Sequence, residues 1–438
     1  MASHDKGLAI FHRKPKQDSI VNAEYVDYRC IGQPNTGTVL EFLVSNTGSR
    51  AIDLRKTRLR LKFRILQGNG EQLPAIPEDD SKAPVEANVA PVNLFLQAMW
   101  RQIDVALNQR IISPNITVLY AYKAYLQTIL DYGETAKNSK LQTQLFYKDT
   151  SKVDENDSIS GSNAGLVERA ALTQKSSIVD MEGPLYIDIL ETQRYIPHGV
   201  GISIKLWHNS DTFRLMCPNQ NPSYKIEIME AALRVYHLDL APKILLAQAE
   251  TLKTNPAVYY YPRSQLKAHS IAQGSYNATL EDVFQGEIPD TLIVALVKSE
   301  AYSGAFKENP FFFQHYDLSQ ITFYVDGHSK PGTPISVDYT ANNYMQGYAS
   351  LFSHDYEEDR GNFITREEYP SGYAIYKFDI CKETCHSAVS ETSKGHSRLE
   401  LKFAKELPET VTAIIYGQFP GELEIDQARN VRVLTSSC

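Results

Sequence analysis

Asn309-Pro-Phe-Phe-Phe-Gln-His-Tyr-Asp-Leu-Ser-Gln-Ile-Thr-Phe-Tyr-Val-Asp-Gly327 is the stretch that decides the fold. Ile321, Phe323 and Val325 alternate along it, the period-two pattern of a strand with one buried face. Asp326-Gly327 then supplies the positive φ angles of a tight hairpin. Pro331 follows, and Tyr344, Tyr348, Leu351 and Phe352 recur at helical spacing. The same order of elements occurs earlier in the chain. Asn93-Leu-Phe-Leu-Gln leads into alternating Ile103, Val105 and Leu107, a turn at Asn108, Pro114, and a helical face of Tyr122, Tyr125, Leu126, Ile129 and Leu130. Position 309 lies 216 residues after 93, 321 lies 218 after 103, and 351 lies 222 after 129, against a length of 438. Four elements in one order, offset by half the chain, predict a duplicated β domain. In both copies the Asn is placed to cap a short first turn, and Pro310 suits a first helical residue.

Alternation extends outward from these two segments. Leu59, Leu61, Phe63 and Ile65 interleave with Arg58, Arg60, Lys62 and Arg64, which predicts an antiparallel strand with one oily and one cationic face. That face reads as solvated, with pairing to acidic loops of another subunit as the alternative. Leu40/Phe42/Val44, Ile202/Ile204/Leu206, Tyr224/Ile226/Ile228, Leu233/Val235 and Leu399/Leu401/Phe403 repeat the pattern, while Leu292–Val297 and Val411–Tyr416 read as strands buried on both faces. Helical signals are few. One helix is expected at Tyr122–Leu130 with Gly133 as its stop, and another at Pro242–Leu252, with Leu245, Leu246, Ala249 and Leu252 as its apolar stripe. Residues 148–180 read as a long polar surface loop.

Composition narrows the class. The chain has 42% hydrophobic and 22% charged residues, enough apolar material for full cores, and 26 Tyr, 17 Phe and 2 Trp lean towards sheet. A net charge of −8 argues against coating nucleic acid, which needs clustered cations. The basic group Lys6, Arg13, Lys14 and Lys16 reads as a solvated arm or as a contact inside an assembly. No apolar run is long enough to span a membrane, and Met1–Pro15 lacks the apolar block of a secretory signal, so a non-secreted protein is expected. Five scattered cysteines, Cys30, Cys217, Cys381, Cys385 and Cys438, make no disulfide framework.

Catalytic apparatus is missing. There is no phosphate-binding Gly-Lys-Ser/Thr loop, no Gly-x-Ser-x-Gly elbow, no His-Glu-x-x-His helix and no His-x-His pair. Cys381, Cys385 and His386 lack the second ligand pair that a closed zinc site needs. Asp79-Asp80 and Glu357-Glu358-Asp359 read as solvated loop charges rather than a glycosidase couple. Asn115, Asn156 and Asn277 head glycosylation sequons that read as accidental. No catalytic, cofactor-binding or metal-binding residues are expected, and no cofactor. Tyr259-Tyr-Tyr-Pro is the one stretch with the rings of a sugar-binding loop, against which stands ordinary strand packing. A two-domain carbohydrate-binding protein is the alternative function, and a β-sandwich glycosidase or cupin-type oxygenase a more distant one.

The segment 309–327 resembles the double jelly-roll major capsid proteins of adintoviruses and Maverick/Polinton elements. So do Asp53-Leu-Arg-Lys-Thr, Val92-Asn-Leu-Phe-Leu, Gln102-Ile-Asp-Val-Ala-Leu-Asn, Tyr122–Gly133, Leu145-Phe-Tyr-Lys-Asp-Thr and Ile425-Asp-Gln-Ala-Arg-Asn-Val. The likeness runs from about residue 20 to the end. It implies an all-β chain with a few short helices and two eight-stranded jelly rolls. An arm would occupy residues 1–19, the first roll 20–240, a linker helix 241–252 and the second roll 253–438. It also implies a structural, non-enzymatic protein of the virion, made inside the host cell. Homotrimers would form pseudo-hexagonal, hexon-like capsomers that tile an icosahedral shell of a double-stranded DNA virus or integrated element. Its partners would be other capsomers and a penton or minor capsid protein, with the basic arm facing the interior and no small-molecule substrate.

Overall fold

Hydrophobic alternation closes into two sandwiches with the same strand order. The computed structural model describes residues 17–35, 39–46, 48–77, 83–112, 119–220, 222–352, 361–380 and 393–434. The first roll contains β1 (Ile20–Arg29), β2 (Val39–Val44), β3 (Arg50–Gln67), β4 (Trp100–Leu107), β5 (Arg110–Ile111), β6 (Val179–Gly183), β7 (Ile202–His208) and β8 (Tyr224–Leu240). They form two antiparallel sheets, β1-β8-β3-β6 and β2-β7-β4-β5. The second roll contains β9 (Ala257–Ile271), β10 (Asn277–Glu281), β11 (Thr291–Lys298), β12 (Leu318–Val325), β13 (His328–Ser336), β14 (Ile375–Asp379), β15 (Ser397–Phe403) and β16 (Val411–Ile425). Its sheets are β9-β16-β11-β14 and β10-β15-β12-β13, the same two orders shifted by eight strands. The chain is a double jelly roll. A last strand, β17 (Val431–Leu434), extends the β16 side.

The predicted repeat coincides with this topology. β4 and β12 occupy equivalent places, and each runs into a two-residue hairpin. Leu107 pairs with Arg110 across Asn108-Gln109, and Val325 pairs with His328 across Asp326-Gly327. All four turn residues have positive φ, at 44°, 67°, 49° and 80°. That is the turn whose twist matches the strands it joins. Helix α1 (Tyr120–Asp131) follows the first hairpin, and the short α4 (Met345–Ser350) follows the second. Every alternating run read from the sequence lies in a strand, with Leu59, Leu61, Phe63 and Ile65 fully inward.

Four expectations need correction. Asn309 does cap a short turn, its side chain accepting the Phe311 N–H at 3.0 Å, but no helix begins at Pro310, and the helical turn after Asn93 is capped by Leu94 without a side-chain bond. Gly133 is not a left-handed stop, because α1 ends at the extended Tyr132 and Gly133, at φ −80°, opens the next turn. Residues 148–180 are not one surface loop: they include α2 (Ala164–Thr173), capped by Asn163, and Asp149, Ser158, Asn163, Arg169, Thr173 and Ser176 are buried and hydrogen-bonded, while residues such as Ser151, Lys152, Ser160 and Ser162 stay exposed. The linker helix α3 (Pro242–Leu252) has its predicted span, with proline in the first turn, but none of its residues is buried. Leu245 and Leu252 are half-buried, and Leu246 stands exposed. Among the described residues no helix is long and apolar enough to cross a membrane.

Candidate functional site

The chemistry of this molecule is concentrated where the two rolls meet. Segment 145–163 of the first roll lies between the two asparagines that begin the repeats. Buried Asn93 donates to the Tyr147 carbonyl at 2.7 Å and to Asp149 Oδ2 at 3.1 Å. Buried Asn309 donates to the Val153 carbonyl at 2.8 Å, and its own backbone N–H donates to Asp154 at 2.8 Å. The two copies of one residue thus hold neighbouring parts of one segment from opposite sides. Arg169 on α2 completes the grip. Its guanidinium, with no exposed side-chain surface, reaches Asp149 at 2.8 Å and the carbonyls of Pro91 and Tyr147. Tyr373 of the second roll donates to the Asp149 carbonyl at 2.9 Å. A buried charge is tolerated when it is paired and fully hydrogen-bonded, as this one is.

A second node uses the other face of α1. Lys123 pairs with Asp188, and Asp188 accepts from the Ser264 N–H at 2.7 Å and the Ser264 hydroxyl at 2.9 Å on β9. The void beside them is about 30 Å³, room for a water but not a substrate. Aromatic rings fill the space between the nodes: Tyr125 of α1 stacks on Phe311 at 4.1 Å, and Tyr122 meets Phe311 and Phe313 at 5.8 and 6.5 Å. Two lysines reach across as well. Buried Lys137 donates to the Ile129 and Asn362 carbonyls, and burial pushes its ammonium down to about 7. Lys148 pairs with Glu368 at 2.7 Å. Burial pushes Asp154 up to about 7, beside Glu308 and Lys298.

The sequence candidates for ligand chemistry come apart in the structure. Tyr259 and Tyr261 are buried, Tyr259 donating to the Tyr195 carbonyl, while Tyr260 lies beside Arg194. The stretch is strand packing across the joint. Among the described residues no cluster of His, Cys, Asp or Glu has metal-binding geometry. Cys381, Cys385, His386, Cys438, Asp79-Asp80, Glu357-Glu358-Asp359, the sequon at Asn115 and the basic residues before 17 lie outside the described residues. An open groove on the outer face of β2-β7-β4-β5 contains Leu43, Ile111 and Trp207. Its carboxylates are already engaged, Asp104 by the Trp207 indole N–H at 2.9 Å and Glu41 by Lys205 at 3.5 Å. That is not the free acid and base of a hydrolase.

Three of the four cations on the outer face of β3 are paired within its own sheet, while Arg58 donates to the Arg55 and Thr57 carbonyls. Arg64 meets Glu227, Lys62 meets Glu230 at 2.9 Å, Arg60 meets Asp180 at 3.5 Å, and Arg234 meets both Asp27 and Glu182. Alternation reveals the face but not these partners, such as Glu227, which lies 163 residues from Arg64. Sequence reading also missed the joint, because Asp149, Arg169 and Asp188 look like ordinary polar residues until the fold buries them.

Comparison with known proteins places this geometry. No protein-family profile matches the chain. A curated relative, the uncharacterised protein F54H12.2 of Caenorhabditis elegans, is 24% identical over 399 residues, covering 89% of this chain and 92% of that protein. Among solved structures, a chain of the Sputnik virophage matches with a TM-score of 0.66 at 10% identity, covering 100% of this chain and 93% of that one. The Faustovirus major capsid protein matches at 0.56 and 10% identity, with 97% and 92% covered. The mavirus major capsid protein matches at 0.51 and 8%, with 100% and 96% covered.

Proposed function

We propose that this chain is the major structural subunit of an icosahedral capsid, of a double-stranded DNA virus or of a virus-like element integrated in a host genome. The observation that carries the reading is the duplicated strand order of the two rolls, in a chain that is similar along nearly its whole length to the Faustovirus and mavirus major capsid proteins. Three copies of a chain with two similar walls give six similar walls, so a homotrimer is a pseudo-hexagonal, hexon-like tile. The polypeptide divides into an arm at residues 1–19, a first roll at 20–240, a linker helix at 241–252 and a second roll at 253–438. Its principal partner is itself, then neighbouring capsomers and a penton or minor capsid protein at the vertices. The arm's Lys6, Arg13, Lys14 and Lys16 face the particle interior. The adintovirus and Maverick/Polinton likeness gives the finer kinship, and a nematode relative of nearly equal span fits a gene carried in an animal genome.

No catalytic role is assigned. A shell subunit works by association, and the polar groups buried here are spent holding two rolls rigid rather than presented to a ligand. The test is the purified protein's mass in solution together with electron micrographs of negatively stained samples. Trimers of the 49.4 kDa chain, or closed particles, are expected. A stable monomer at micromolar concentration under every salt and pH condition would overturn the proposal.

A further inference from the structure

Two lysines of the first roll hold one short segment of the second. Lys137 ends the helical turn Glu134–Lys137, and its ammonium donates to the Ile129 carbonyl at 2.7 Å and to the Asn362 carbonyl, 225 residues further along the chain. Lys148 donates to the next carbonyl, that of Phe363, and pairs with Glu368 at 2.7 Å. The backbones also approach closely, since a Cβ on Gly133 would stand 3.0 Å from the Gly361 carbonyl oxygen. Lys137 and Asn362 are only 2% and 4% accessible, so this contact is shut off from bulk water. The Asn362 side chain is half satisfied. Its Oδ1 accepts the Ile364 N–H at 3.1 Å, while its buried Nδ2 has no hydrogen-bond partner among the described residues. A buried donor left unmet is costly and calls for an explanation.

We propose that Lys137 and Asn362 form an isopeptide bond, a self-made covalent link between the two rolls. A lysine amine is a nucleophile only when neutral, and desolvation is an ordinary way to make it so. Burial, reinforced by the Lys148 charge, takes Lys137 down to about 7, with Asp131 and Glu368 the carboxylates that oppose the fall. The flexible lysine stem then needs only to carry Nζ from the main-chain oxygen of Asn362 to Cγ of the same residue. As the new C–N bond forms, negative charge develops on Oδ1, where the Ile364 N–H already stands to stabilise it. A proton passes from the attacking nitrogen to Nδ2 by way of water, the Cγ–Nδ2 bond breaks, and ammonia leaves. Counted from the charged lysine, an ammonium group and a carboxamide become a secondary amide and an ammonium ion, with no oxidant or cofactor. Lys148 is a positioning residue, since its bonds to Phe363 and Glu368 fix the segment that carries Asn362. A purely structural lysine at the end of α1 would account for the Ile129 bond, because cations favour helix C-termini. It leaves the unmet Nδ2 unexplained, and Nδ2 is the atom that the reaction removes.

Mass spectrometry of the purified full chain, denatured after folding, reads the bond directly. The wild type should weigh one ammonia less than its sequence. Its tryptic digest should contain a branched peptide in which Lys137 is uncleaved and joined through its side chain to the peptide that carries Asn362. Lys137→Met and Asn362→Ala should each restore the full sequence mass and abolish the branched peptide. The wild-type measurement stands even where a variant fails to fold. A wild type of full sequence mass after the folded chain is incubated at pH 8, above the Lys137 value of about 7, overturns the proposal. So does an ammonia loss that persists in Lys137→Met or comes without the branched peptide, because ring closure of Asn362 on its own backbone also releases ammonia.

Discussion

Asp154 sits where one roll hands over to the other, accepting the Asn309 N–H at 2.8 Å with Glu308 and Lys298 close by. Burial, reinforced by the Glu308 charge, disfavours its ionised form and raises it from 3.8 to about 7. Between those values the folded chain keeps a proton that the unfolded chain has released. Its contribution to stability is therefore full below about pH 4, declines as pH rises to about 7, and stays constant beyond. Asp154→Asn keeps the acceptor and removes the titration, so the decline in urea midpoint between pH 5 and pH 8 should be smaller in the variant than in wild type. Equal declines would remove Asp154 as the cause. The neighbouring Arg169 and Asp149 behave differently, since each fully satisfies the other and truncating one strands a buried charge, a loss of about 3 to 5 kcal/mol in comparable pairs.

At the scale of elements, the two hairpins show how much of the fold is local. Asp326-Gly327 was legible as a turn because its residue types favour positive φ, whereas Asn108-Gln109 adopts the same geometry with a glutamine at φ 67°. Only the strand pairing on both sides requires this of Gln109. Gln109→Gly should therefore stabilise the chain by about 0.5 to 1 kcal/mol, and Gly327→Val should cost about 1 to 2 kcal/mol. Chemical denaturation midpoints check both signs, and a destabilising Gln109→Gly would show that its side chain matters more than its backbone. The linker helix makes the opposite point. Pro242 and the leucine spacing specified its span, but periodicity reports what could be buried, and here no residue of the helix is fully buried among the described residues.

For the whole molecule, the joint ties the rolls into one unit of stability. Buried ion pairs, stacked rings and asparagine bonds all cross it, so neither roll can open without exposing unsatisfied groups in the other. Trp100 and Trp207 both lie in the first roll, so tryptophan fluorescence reports that roll while far-ultraviolet circular dichroism reports both. The two urea transitions should coincide. Separate midpoints would mean that the rolls unfold independently.

By itself the sequence determined the strands, the hairpins, the two principal helices and the duplication, because each is written in short-range periodicity and turn chemistry that physics reads residue by residue. The repeated Asn93 and Asn309 are legible, and Asn309 caps its turn, but their grip on the 145–163 segment is not, since a side chain's partner 50 or more residues away leaves no local mark. Only the tertiary structure decided that Asp149, Ser158 and Asn163 of 148–180 are interior, and that Arg169 and Asp188 are fastenings rather than surface charge. Those outcomes depend on which surfaces two rolled sheets bring together, and burial of that kind is a property of the packed chain rather than of any stretch within it.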